Sequence, residues 1–94
     1  MIESFKCDAT RRFWESCGRG KRPFASFATV AMRKLRMIHA AHELFDLRQP
    51  PGNRMEVLAG DCLGQHSIRI NDQYRICFVW AKAGVQDVEI VDYH

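Results

Sequence analysis

The run Gln65-His66-Ser67-Ile68-Arg69-Ile70-Asn71-Asp72-Gln73-Tyr74-Arg75-Ile76-Cys77-Phe78-Val79-Trp80 decides the architecture of this chain. From Gln65 to Ile70 the side chains alternate. His66, Ile68 and Ile70 fall on one side, Ser67 and Arg69 on the other. A period of two marks a strand with one buried face. Asn71-Asp72-Gln73 carries the chemistry of a tight hairpin turn. Tyr74 to Trp80 is rich in aromatic and β-branched residues and is the strongest strand segment in the chain.

Downstream, Ala83-Gly84 turns the chain and Asp87 to Tyr93 makes the last strand. Upstream, Gly60-Asp61-Cys62-Leu63-Gly64 is a turn bounded by glycines, and Arg54 to Ala59 is a further strand. Gln49-Pro50-Pro51-Gly52-Asn53 breaks the pattern before it. The N-terminal half has a different period. Phe24, Phe27, Ala31, Leu35, Ile38 and His42 recur at steps of three and four and predict a helix from about Pro23 to Leu44. A shorter helix, capped by Asp8 or Thr10, runs to about Ser16 with Phe13 and Trp14 as anchors. Gly18 stops it, and Pro23 suits the first turn of the next helix. Ile2 to Phe5 reads as an edge strand. The expected fold is α+β: two N-terminal helices packed on a mostly antiparallel sheet, one domain over residues 1–94.

The chain has 94 residues, enough for one domain and too few for two. It is 47% apolar and 27% charged, which allows a core and an ordinary wet surface. The net charge of +3 favours polyanions only mildly. Cys7, Cys17, Cys62 and Cys77 form no C-x-x-C pair. Cys77 lies in an apolar run and reads as a small buried hydrophobe. Met1 to Lys6 is too short and too charged for a secretory segment, and no apolar stretch approaches about 20 residues. A reducing, cytoplasmic setting without a disulfide framework is expected, with no membrane involvement.

The meander gathers distant residues. The last turn brings Arg75 opposite roughly Asp92. The Asn71-Asp72 turn brings it opposite roughly Ile68 to Ile70, and the glycine-bounded turn brings Glu56 opposite roughly Ile68. A one-residue slip would reverse the faces. One end of the sheet should therefore collect Arg54, Glu56, Arg69, Arg75, Asp92, Tyr93 and His94. That set has the parts for RNA cleavage. A base removes the 2′-hydroxyl proton, an acid protonates the departing 5′-oxygen, and a cation holds the charge that builds on phosphate. Glu56 or His94 is the candidate base, and His94 or Tyr93 the candidate acid. Arg75, with Arg54 or Arg69, is the candidate phosphate clamp. No metal or other cofactor is called for. The bland reading is a cross-strand Glu56–Arg69 pair, solvated arginines and an ordinary chain end.

Taken in order, Gly52-Asn53-Arg54-Met55-Glu56, Gly60-Asp61, Gly64 to Asn71, Tyr74 to Phe78 and Asp87 to His94 resemble the HigB branch of the RelE toxin superfamily. Met1 to Lys6 also matches its usual start. The resemblance implies a microbial-RNase-like fold and ribosome-dependent cleavage of mRNA in the A site. It further implies neutralisation by a helix-turn-helix antitoxin of the HigA type, with a heterotetramer as the expected assembly. By position, Arg75 matches the family's phosphate-binding arginine. Asp92, Tyr93 and His94 match its terminal triplet, and Asp92 is expected to orient His94 or Arg75. Two departures stand out. Glu56 occupies a position where some relatives place a catalytic histidine, and Ala59 replaces a lysine common before the Gly-Asp turn. Those departures support a rival reading, a non-catalytic RNA- or protein-binding module of the same fold.

Three further features of the sequence have both a bland and a functional reading. His39 and His42 have a spacing that can ligate zinc, but no standard motif completes the set, so no metal site is expected. His42 should pack at the edge of the apolar face. Arg33, Lys34 and Arg36, like Arg11, Arg12, Arg19, Lys21 and Arg22, are either solvated or, given the resemblance, in contact with ribosomal RNA phosphates. Trp14 and Trp80 belong to the core rather than to a base-stacking platform.

Overall fold

The computed structural model describes residues 1–19, 24–57 and 65–92. Three helices, α1 (Asp8–Glu15), α2 (Ala28–Ala40) and α3 (Leu44–Arg48), precede four strands, β1 (Glu56–Val57), β2 (Gln65–Arg69), β3 (Tyr74–Ala81) and β4 (Gly84–Asp92). Short 3-10 turns at Ala25–Phe27 and Pro51–Asn53 lead into α2 and toward β1. The strands form one antiparallel sheet in the order β1-β2-β3-β4. The α+β class and the antiparallel meander are as the sequence predicts.

Alternation explains how the sheet divides its faces. Ile68, Ile76, Phe78 and Ile90 point to the helix side and join Phe13, Phe24, Phe27, Ala31, Leu35, Ile38 and Leu47 in one core. Phe27 rests on Tyr74 with ring centroids 4.5 Å apart. Trp14 and Trp80 pack against this core, and Trp14 lies over His39. Cys77 is buried, as expected, but on the other face, beside Arg75 in the alternation.

The expected helix from Pro23 to Leu44 is divided (Pro23 itself lies outside the described residues). A 3-10 turn opens it, and α2 ends when Ala41 turns extended at ψ 133°. The cause lies just beyond. Glu43 and Asp46 form a reciprocal capping box that starts α3, and Asp46 Oδ2 accepts the N–H groups of His42 and Glu43. His42 is consequently exposed, not packed at the apolar edge. At α1 neither Asp8 nor Thr10 is the cap. Cys7 holds that position without a side-chain capping bond, and Thr10 lies inside the helix, its Oγ1 accepting Ile90 N–H at 3.1 Å.

The edges also differ from expectation. Ile2 to Phe5 forms no strand. Ile2 and Phe5 make isolated parallel bridges to Val85 and Val88, and the segment lies along β4. β4 begins at Gly84 rather than Asp87, and the β3–β4 register shifts between Cys77 and Val79. Asp87, at φ +52°, takes up the irregularity. The bulge lets Val85 and Val88, three apart, both face the core. The expected Gly60–Gly64 turn and the end of the Arg54–Ala59 strand lie outside the described residues, as does Cys62. Cys7, Cys17 and Cys77 are free thiols. Among the described residues, no helix is long and apolar enough to cross a membrane.

Candidate active site

Register decides which side chains meet. Arg75 stands directly opposite Arg69, Ser67 opposite Cys77, and Glu56 opposite Ser67. Residues that face one another across an antiparallel pair point the same way. Glu56, Ser67, Arg69 and Arg75 thus share the face turned away from the helices. Two guanidinium groups directly opposite each other destabilise a sheet unless anions offset them.

Arg75 is only 7% exposed. Its Nε donates to Ser67 Oγ at 2.8 Å, and its Nη2 donates to the Arg54 carbonyl at 2.6 Å and the Ser67 carbonyl at 3.3 Å. Glu56 Oε1 is 3.6 Å from the same Nη2. A buried guanidinium held by hydrogen bonds to a hydroxyl and two carbonyls in this way is fixed in orientation. Arg54 reaches it from a strained backbone, at φ +41° immediately after the Pro51–Asn53 turn. Arg69 pairs with the exposed Asp72. Together Arg54, Met55, Glu56, Arg69, Asn71, Asp72 and Arg75 line an open cleft of about 490 Å³. Among the described residues, three guanidinium groups and two carboxylates meet there.

The other expected site residues divide. Asp92 does not face Arg75. It pairs with Tyr74, one position along, and so belongs to the opposite face; its Oδ2 accepts from Gln73 Nε2 at 2.9 Å. The single-residue difference is enough to reverse its side. Tyr93 and His94 lie outside the described residues, as does Ala59. Arg33 and Arg36 are exposed on α2. Lys34 is not: it is 6% exposed, and its Nζ donates to the buried Asn53 Oδ1. Burial pushes the Lys34 ammonium below the ordinary lysine range, and the nearby charges of Arg33 and Arg69 push it further. His39 Nδ1 accepts the N–H of Ile2 at 3.1 Å, so that nitrogen is committed to the fold. Sequence reasoning missed Ser67 and Asn53. Ser67 was legible as the partner on Arg75's face once the register is known, whereas Asn53 looked like one more loop-breaking residue.

Comparisons with known proteins bear on the chain as a whole. A family model described as the RelE-like toxin of the type II toxin–antitoxin system HigB matches residues 3–94. The chain belongs to that family. It is 41% identical over 80 residues to Toxin HigB-1 of Vibrio cholerae serotype O1, covering 85% of this chain and 84% of that protein. It is 33% identical over 86 residues to an uncharacterized protein of Haemophilus influenzae, covering 92% and 85%. Among solved structures it resembles a chain of the YoeB–YefM complex from Staphylococcus aureus, with a TM-score of 0.57, 13% identity and coverage of 100% and 98%. A second match with the same figures is the heterotetrameric YoeB–YefM toxin–antitoxin complex. At that identity the structural likeness speaks for the fold. The family makes this chain the toxin of a type II toxin–antitoxin pair, with an antitoxin as its partner class.

Proposed function

We propose that the chain is a ribosome-dependent endoribonuclease that cuts mRNA in the A site and so stops translation. The observation that carries this reading is the buried Arg75, clamped by Ser67 and Arg54 and facing an open cleft with Arg69 opposite and Glu56 3.6 Å away. Arg75 and Arg69 hold the two non-bridging oxygens of the scissile phosphate, and Arg54 steers the strand. Glu56, about half exposed, takes the proton from the 2′-hydroxyl. The 2′-oxygen forms a bond to phosphorus, the bond to the 5′-oxygen breaks, and an acid from the C-terminal Tyr93-His94 pair supplies the proton to that leaving oxygen. His94 is the alternative base. Asp92, by its place one residue before that pair, orients the tail rather than touching the phosphate. Charge building on the phosphate strengthens its bonds to the fixed guanidinium groups, so the cleft favours the transition state over bound RNA. The route uses side chains alone and no metal.

Exposed Arg33 and Arg36 would carry the chain onto ribosomal RNA. We assign a HigA-type helix-turn-helix protein as the antitoxin, a heterotetramer as the assembly, and the cytoplasm, where ribosomes translate, as the location. Mapping RNA ends after brief expression tests the reading. The expected result is cuts within the A-site codon, leaving 2′,3′-cyclic phosphate and 5′-hydroxyl ends, undiminished by chelator in the purified reaction. Growth arrest without cut mRNA would instead favour the non-catalytic binding module.

A further inference from the structure

Among the described residues, Lys34 is the buried charged group that the proposed chemistry leaves unused. It lies on α2, buried, with its Nζ bonded to Asn53 Oδ1. Asn53 is fully buried and works in three directions. Its Oδ1 accepts from Lys34, its Nδ2 donates to the Leu47 carbonyl at 2.9 Å, and its backbone N–H closes the turn on the Pro50 carbonyl at 3.0 Å. One amide side chain thereby joins α2, the end of α3 and the 3-10 turn. The next residue, Arg54, is held at φ +41°, ψ 55°. From that backbone its carbonyl accepts Arg75 Nη2 at 2.6 Å.

We propose that Lys34 is a positioning residue for Arg75: through Asn53 it fixes the Pro51–Asn53 turn, so that Arg54 presents its carbonyl oxygen to the Arg75 guanidinium. Burying an ammonium is costly unless it is hydrogen-bonded, and an apolar residue would fill this helix position at lower cost. What the ammonium supplies is a strong donor to Asn53, which leaves the Asn53 Nδ2 aimed at Leu47 and the turn closed. Arg54 cannot hold a left-handed conformation on its own preference. The inference rests on reading the cleft as the nuclease site, because only there does the angle of the Arg75 guanidinium matter. Lys34 does not itself grip RNA, since its ammonium is turned inward onto Asn53.

The test uses the full chain with Lys34→Met, and Lys34→Gln as a milder variant should the first not fold. Two readouts are taken: the Arg75 Hε resonance, with its exchange against water, and cleavage of mRNA on programmed ribosomes. In a folded variant the Hε signal is expected to move and to exchange several-fold faster. The kcat should fall about 10- to 100-fold with KM unchanged, as for a misplaced but present clamp. Lys34→Met added to Arg75→Ala should cost nothing more than Arg75→Ala alone. An unmoved Hε signal overturns the inference, and so does an additive double variant. A raised KM with a flattened salt dependence overturns it in favour of direct phosphate contact. If Arg75→Ala itself cleaves at the wild-type rate, the nuclease reading fails instead, and the Hε signal alone judges whether Lys34 orients Arg75.

Discussion

Arg75 and Arg69 stand directly opposite each other on β3 and β2, an arrangement that a stability-driven sheet avoids. Asp72, paired with Arg69, and Glu56, 3.6 Å from Arg75, offset that repulsion. His66 shows the other use of a titratable group. It sits on the core side, stacked over Phe78 at 6.0 Å, and burial pushes it below the ordinary histidine range. Its Nδ1 has no hydrogen-bond partner among the described residues. The folded chain therefore resists a proton that the unfolded chain accepts near pH 6.5. Stability from a neutral His66 is fully present above that pH and is lost as pH falls through the window beneath it. Melting temperatures from pH 7.5 to 5 should drop more steeply for the wild type than for His66→Phe. Parallel curves would show that His66 titrates alike folded and unfolded. At this scale the sequence was informative where a residue's place follows from strand register, as with Arg75 and Glu56, which meet at one cleft as expected. It was silent where the role follows from burial. Lys34 looked like its neighbours Arg33 and Arg36 because nothing in the pattern K-at-a-basic-run announces that one of three cations turns inward.

Elements were legible wherever periodicity ran uninterrupted. β2 and β3 begin where the alternation and the Asn71–Gln73 turn place them. The misses share a cause, which is local side-chain chemistry overriding the period. The Glu43/Asp46 box ends α2 four residues before the apolar spacing does. The bulge at Asp87 changes the period of β4 from two to three for one step, so its first residues do not look like strand. Asp92 then falls one position away from the predicted partner, and one position is one face. The N-terminal segment depends on Gly84. At φ +142°, a Cβ there would come within 2.5 Å of Glu3 Cγ and 2.7 Å of the Met1 carbonyl. Those atoms belong to the segment whose Met1 carbonyl accepts Val85 N–H and whose Glu3 N–H donates to Val85. Gly84→Ala should therefore destabilise the chain by about 1–3 kcal/mol, through backbone strain and loss of this docking. Urea unfolding checks it. Because the cleft is at the other end of β3, the folded fraction should keep its cleavage rate.

The whole molecule divides its labour between two faces of one sheet. Helices and core occupy one, and the arginine cleft the other, with exposed Arg33 and Arg36 on α2 as a separate basic surface. Replacing Arg33 and Arg36 together with Gln should weaken ribosome binding and reduce the slope of log affinity against log salt by about 1–2 units, as expected for one or two lost phosphate contacts. An unchanged slope would take α2 out of the interface. The central claim is that the guanidinium fixed by Ser67 and Arg54 stabilises the phosphate as it is cut. The most direct measurement is the single-turnover rate of mRNA cleavage on programmed ribosomes by Arg75→Ala, with folding verified by circular dichroism. The account predicts a fall of about 100-fold or more. A folded Arg75→Ala chain that cleaves as fast as the wild type would contradict it.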